Sequence, residues 1–273
     1  MTVFDVIEGH SPIILGQPHG GTYVPDDLLA RMNDVGNVLE DTDWHITKLY
    51  DGLLDGTTVV KSNIHRYVID CNRDPAGVSL YPGQNTTTLC PTTSFDGVNI
   101  WLDGQAPSED EILERRALYH VPYHKALEEQ ISRVKAKHGY AILYDCHSIR
   151  SNIPFLFEGE LPIFSIGTNL GATCDARIEA IVKKVCFSDD AKASGFDAVL
   201  NGRFKGGWTT RHYGQPDQGV HAIQMELAQR AYMLEQAPWS YLPDVANKVR
   251  QPLSQILNQI NDLARSDALQ PDA

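Results

Sequence analysis

The sequence predicts an α/β fold of three layers, with helices on both faces of a mixed, largely parallel sheet. Two observations carry this prediction. Short runs rich in Ile, Val and Leu recur along the chain, and segments with helical spacing lie between them. Each apolar run is also short enough to be a strand buried on both faces.

The strands are expected at residues 12–15, 57–60, 66–71, 140–144, 198–200 and 220–225. Residues 77–107 are rich in Thr, Gly, Pro and Asn and too long for a routine connection, so they are expected to cover an active site. Ser108 followed by Glu111 is a capping-box pattern. Leu127, Ile131 and Val134 then repeat at helical spacing until Gly139 supplies a stop. Pro122 has no backbone N–H to donate and should kink or divide this helix near its middle. A final helix is expected over residues 243–265, where Val249, Leu253, Ile256, Ile260 and Leu263 form one apolar stripe.

The 273 residues, 42% hydrophobic and 21% charged, are the proportions of a folded protein, and residues 1–273 are expected to form one catalytic domain. With 23 basic against 35 acidic residues the formal charge is −12, which argues against nucleic-acid or acidic-membrane partners. The start MTVFDVIEGHSP has no basic segment leading into a long apolar run, so a soluble, cytoplasmic protein is expected. Five cysteines without a CxxC pair suggest reduced thiols.

His19 in QPHGG and His147 in DCHS each follow an apolar run, at the strand ends where open α/β sheets place ligands. One histidine is more often a satisfied polar residue than a ligand; two in the same context make a metal site a serious candidate. A catalytic zinc takes about three protein ligands, commonly two histidines and a carboxylate. Glu40, Asp41 and Asp43 all offer that carboxylate, and spacing does not choose among them. His120 and His124 are a rival pair at i, i+4, but Pro122 disturbs the helix between them and a structural role fits better.

Glu226 follows a strand-like run in VHAIQMELAQ, where a charge is forced toward a cleft, and is a candidate general base. Arg203, Lys205 and Arg211 in NGRFKGGWTTR, with Arg66, Asn72 and Arg73 in RYVIDCNRD, supply anion-binding groups; the planar guanidinium suits carboxylates. Asp145, Cys146, His147 and Ser148 contain the members of a nucleophilic triad. Neighbours on a strand face opposite ways, however, so a small buried cysteine is the better reading of Cys146.

Taken together, QPHGG, EDTDWH, HRYVIDCNRDP, LYDCHS, NGRFKGGWTTRHYG and GVHAIQMELAQ closely resemble the N-formylglutamate amidohydrolase family of histidine degradation, from about residue 12 to 235. The resemblance implies a zinc-carboxypeptidase-like architecture and hydrolysis of N-formyl-L-glutamate to glutamate and formate. It also implies zinc, or another divalent metal, on His19, His147 and Asp43. By the same resemblance Glu226 acts as the catalytic glutamate, Asn72 and Arg73 bind a substrate carboxylate, Arg66 polarises the carbonyl, and Arg203 and Arg211 meet the second carboxylate. The alternatives are a zinc deacylase or carboxypeptidase for another N-acyl amino acid or short peptide, and a ligand-binding protein without turnover. In each case the partner is a small molecule. Oligomeric state is not legible.

Overall fold

The computed structural model describes residues 2–266 and Leu269. Its strands are β1 (Phe4–Ile7), β2 (Ile13–Gln17), β3 (Thr58–Ser62), β4 (Ala141–Ile149), β5 (Phe164–Gly167), β6 (Ala198–Leu200) and β7 (Val220–Ala228). The helices are α1 (Asp26–Leu29), α2 (Asp34–Asn37), α3 (Ile46–Tyr50), α4 (Glu109–Arg115), α5 (Val121–His138), α6 (Ala176–Cys186), α7 (Asp189–Ala193), α8 (Trp208–Tyr213) and α9 (Pro243–Arg265). The strands form a seven-stranded sheet in the order β1-β3-β2-β4-β7-β5-β6. The pairings β2–β3, β2–β4, β4–β7 and β5–β6 are parallel, while β1–β3 and β5–β7 are antiparallel. The sheet is therefore mixed and largely parallel.

Alternation along the central strands builds a core on each face. Ile142, Tyr144, Cys146, Ile223 and Met225 pack in one cluster with Val249, Leu253 and Ile256 of α9. Ala141, Leu143 and Ala222 pack in the other with Leu127, Ile131 and Val134 of α5. This second face changes character toward the strands' C-terminal ends, where the same alternation presents Asp145, His147, Gln224 and Glu226, all buried. Beyond Asp145, β4 has no β2 partner, because the registered pairs end at Gly16 and Asp145. A crevice opens there.

The helix signals correspond closely to the structure. Ser108 Oγ accepts a hydrogen bond from Glu111 N (3.3 Å), Gly139 closes α5 in the left-handed region, and α9 spans the expected residues. Pro122 does divide the helix: a π-turn over Arg116–His120 separates α4 from α5, with Val121 N bonded to Arg116 O. A wider turn suits a helix in which the next donor is missing.

The expected strand at 66–71 is not one. Val68 N bonds to His65 O, Arg73 N to Asp70 O, and Asn72 N to the Asp70 carboxylate, so the segment is a chain of turns. Its apolar residues are buried all the same, which is why a short apolar run did not distinguish strand from buried turn. β1, half-buried at the sheet edge, and the four-residue β5 carried too little pattern to be anticipated.

If α9 holds one face of the sheet, Leu253→Ala, at a fully buried site, should destabilise the protein by about 2–5 kcal/mol in urea unfolding, whereas a loss under about 1 kcal/mol would contradict that packing.

Candidate active site

β2 delivers the chain to His19, and two glycines then let the loop close. A Cβ on Gly21 would meet the Asn63 carbonyl carbon at 2.3 Å, and one on Gly20 would touch Ile46 of α3. Asp43 N donates to His19 O, placing the Asp43 side chain beside the imidazole. His147 lies inside β4 rather than in a loop after it, because β4 runs four residues beyond its last registered pair with β2 while staying paired to β7. Its register partner is Glu226, so the two side chains share a face.

His19 Nδ1 and His147 Nδ1 are 3.2 Å apart, and Asp43 Oδ2 is 3.8 Å from the first and 3.5 Å from the second. Glu40 and Asp41 are not part of this group. Asp41 instead accepts from Tyr67 Oη and Phe95 N, and Arg150 lies against both acids. The far side of each imidazole faces a buried carboxylate. His19 Nε2 is 2.7 Å from Asp70 Oδ1, and His147 Nε2 is 3.0 Å from Asp145 Oδ1. Thr210 Oγ1 donates to the other Asp145 oxygen. Asp43 is itself held by Arg66 Nη2 at Oδ1 (2.9 Å) and Ser148 N at Oδ2 (3.0 Å).

These residues fit a divalent metal ion. Two ring nitrogens facing each other at 3.2 Å need a proton or a cation between their lone pairs. Three ligand atoms, all within 4.8 Å of one another, are the usual protein share of a catalytic metal site. The Asp70 carboxylate at Nε2 fixes the His19 ring in the tautomer that frees Nδ1, while Nε2 of His147 faces both Asp145 Oδ1 and, at 3.2 Å, Asn72 Nδ2. The electrostatics agree. Burial pushes His19 down to about 4, with Arg66 adding to the effect. Burial opposes a charge on His147 too, but Asp145 outweighs it and raises that pKa. For Asp43, Arg66 overcomes the burial cost and keeps the carboxylate ionised.

Glu226 is 8% exposed and receives Gln224 Nε2 at 3.2 Å. Burial, reinforced by Asp43 against the pull of His147, pushes it up to about 8. The cluster floors a cleft of about 600 Å³ whose walls include Asn72, Arg73, Tyr81, Arg203 and Phe204.

Arg73 is braced at Nε and Nη2 by Thr87. Arg203 donates to Leu156 O and Asn85 O and has no ion pair among the described residues. Burial, with Arg73 nearby, lowers its pKa. Arg211 does not line the cleft: its Nε donates to Gly206 O, and its guanidinium sits 5.2 Å from the Tyr81 ring, the same distance as that of Arg203. Arg66 lines the cleft but is engaged with Asp43 and lies over Phe95.

The chain matches the family model described as N-formylglutamate amidohydrolase over residues 11–233. It belongs to that family. It is 45% identical over 253 residues to the N-formylglutamate deformylase of Pseudomonas aeruginosa, covering 92% of this chain and 93% of the relative. The corresponding Pseudomonas putida protein is 43% identical over 256 residues, 93% of each. Among solved structures, an N-formylglutamate amidohydrolase from Ralstonia eutropha superposes with a TM-score of 0.78 at 22% identity, over 97% of this chain and 99% of that one. A gene product from Agrobacterium tumefaciens gives 0.67 at 18%, over 98% and 96%. At those identities the likeness establishes the fold. The described helices include none long and apolar enough to cross a membrane.

Asp70, Asp145 and Tyr81 were not singled out as site residues from the sequence. For Asp145 a signal existed, since residues two apart on a strand share a face, which puts it beside His147. Cys146 points the other way, fully buried, and burial pushes its thiol up, away from nucleophile chemistry. All five cysteines are free.

Asp70→Asn and Asp145→Asn should each lower divalent-metal affinity on the order of 10–100-fold in competition with a chelator. Affinity equal to that of the unsubstituted protein would show that these carboxylates do not orient the imidazoles.

Proposed function

We propose that this chain hydrolyses N-formyl-L-glutamate to L-glutamate and formate as a single catalytic unit over residues 1–273, with zinc or another divalent metal on His19, Asp43 and His147. One observation carries the substrate reading: besides Arg66, which is engaged with Asp43, the cleft above this cluster holds Arg73 and Arg203, and Arg203 has no acidic partner among the described residues. A partly buried guanidinium without a counter-charge is costly unless its ligand brings one. A formylated amino acid with two carboxylates brings two. The family membership supports the same reaction.

In the proposed mechanism Asn72 and Arg73 hold one carboxylate and Arg203 the other, which fixes the formyl group, too small to orient itself, over the floor of the cleft. A divalent cation, when held there, supplies a Lewis acid that stabilises negative charge on oxygen and favours ionisation of water. Glu226 takes the proton from the attacking water. It then returns the proton to the departing amine, and its pKa, raised by burial, suits a group that must both accept and donate near neutrality. Arg66 keeps Asp43 ionised and aimed at the two imidazoles, and from the cleft wall its guanidinium stabilises negative charge developing on the carbonyl oxygen. Arg211 supports Tyr81 and, through it, the wall that Arg203 shares. No covalent link to the protein is needed.

Purified protein should release formate from N-formyl-L-glutamate, lose the activity on chelation and regain it with zinc. Glu226→Gln should lower turnover by on the order of 10²–10⁴-fold without loss of bound metal, and unchanged turnover would remove Glu226 from the mechanism.

Arg203→Met should lower kcat/KM for N-formyl-L-glutamate by on the order of 10–100-fold and much less for N-formyl-L-glutamine. Equal losses would mean that Arg203 does not read the side-chain carboxylate.

A further inference from the structure

His120 and His124 lie outside the metal cluster, and the mechanism above does not use them. Both are buried, at 2% and 5% exposure. Their ring nitrogens reach the backbone on either side of Asn72: His124 Nε2 is 2.7 Å from Cys71 O and His120 Nε2 is 3.2 Å from Arg73 O. A carbonyl only accepts, so each Nε2 must carry the hydrogen. His124 Nδ1 is then a lone pair, and Tyr213 Oη lies 3.0 Å from it as donor. Burial keeps both rings neutral, with His124 lowered to about 3, which avoids a second cation beside Arg73.

The two rings also join the turn to the opposite wall. They lie against each other at 4.3 Å between centroids with their planes tilted by 39°, and His124 and Trp208 meet edge to face at 4.7 Å. Trp208 opens α8, whose start grips Asn72 from its other side. Thr209 N donates to Asn72 Oδ1 at 2.9 Å, and a Cβ on Gly207 would strike the Asn72 amide at 2.3 Å. Asn72 is therefore held by its side chain, from α8 and against His147 Nε2 at 3.2 Å, and by its neighbouring carbonyls, from His124 of α5 and from His120 at the end of the π-turn. The π-turn ahead of Pro122 ends at His120, so the helix irregularity falls where the first of these rings meets the turn.

We infer that His120 and His124 are positioning residues for substrate, a pair of imidazole donors that clamps the carbonyls of Cys71 and Arg73 and so aims Asn72 and Arg73 into the cleft. The inference rests on the reading of Asn72 and Arg73 as carboxylate-binding residues. Errors of about an ångström in such a group can cost large factors in productive binding.

Paired polar replacements test it. In a glutamine the amide nitrogen reaches roughly where imidazole Nε2 lies, whereas in an asparagine it falls short. H120Q and H124Q should keep KM for N-formyl-L-glutamate within about 3-fold of the parent, while H120N and H124N should raise it on the order of 10-fold with kcat little changed and bound metal unaltered. Equal KM values for the asparagine and glutamine forms would overturn the clamp, because a role in packing alone gives no reason for the longer amide to rescue binding. Tyr213→Phe removes only the hydroxyl facing His124 Nδ1 and should raise KM by a few-fold. Should the asparagine forms not fold, an unchanged KM in that variant overturns the proposal. Arg73→Ala runs alongside as a check on the underlying reading. A raised KM there with no asparagine–glutamine difference rejects the clamp alone, and an unchanged KM there rejects both.

Discussion

Everything at this site depends on bringing two imidazole nitrogens and a carboxylate oxygen together inside a sheet, out of water. His19 Nδ1, His147 Nδ1 and Asp43 Oδ2 converge within 4 Å of one another, all on buried residues. Burying such groups is expensive unless each is hydrogen-bonded or charge-compensated. The surroundings are organised to meet that demand, with Asp70 and Asp145 behind the rings and Arg66 and Ser148 N on the carboxylate. Asp70 and Asp145 stay behind the rings and Arg66 is engaged with Asp43, yet removing any one would leave a buried charge or a misdirected ring.

The sheet makes this possible by using one face for two purposes. Along β4 and β7 the same alternation that packs Leu143 and Ala222 under α5 brings Asp145, His147, Gln224 and Glu226 to the surface of the crevice a few residues later. β2 ends early, and the gap beside β4 is where His19 enters. Directly behind, Cys146 and Met225 remain in the opposite core. This face of the site is thus carried by β4 and β7, paired to each other from Ala141 and Val220 to Ile149 and Ala228, which suits a site that depends on placement.

The cleft walls come from irregular chain, and they are held differently. The turn through Asp70 and Arg73, the segment carrying Tyr81 and Thr87, and the loop before α8 brace one another through main-chain carbonyls: Arg73 on Thr87 O, Arg203 on Leu156 O and Asn85 O, and Tyr81 Oη on Gly206 O. Carbonyl acceptors orient a guanidinium without cancelling its charge. That leaves Arg203 electrostatically available to a ligand, whereas a carboxylate in the same place would have silenced it.

Much was legible in the sequence because it was carried by local chemistry. The α/β class, the place of α9, the Ser108 cap, the Gly139 stop and the break at Pro122 all follow from periodicity, capping and the missing proline donor. His19 and His147 stood out by context, and the family resemblance assigned Asp43. By themselves, however, the residues left Glu40, Asp41 and Asp43 equivalent. Only the tertiary fold separated them, because ligation depends on where a side chain's oxygen lies relative to two rings more than twenty and a hundred residues away, and Asp41 spends its oxygens on Tyr67, Phe95 and Arg150 instead. The buried turn at 66–71 reads as a strand in sequence for a related reason: its burial is visible there, but the Asp70 side chain acts only through its bonds to Asn72 N and His19. Sequence determined most of the elements and most of the candidate site residues; distance in space decided which of them come together.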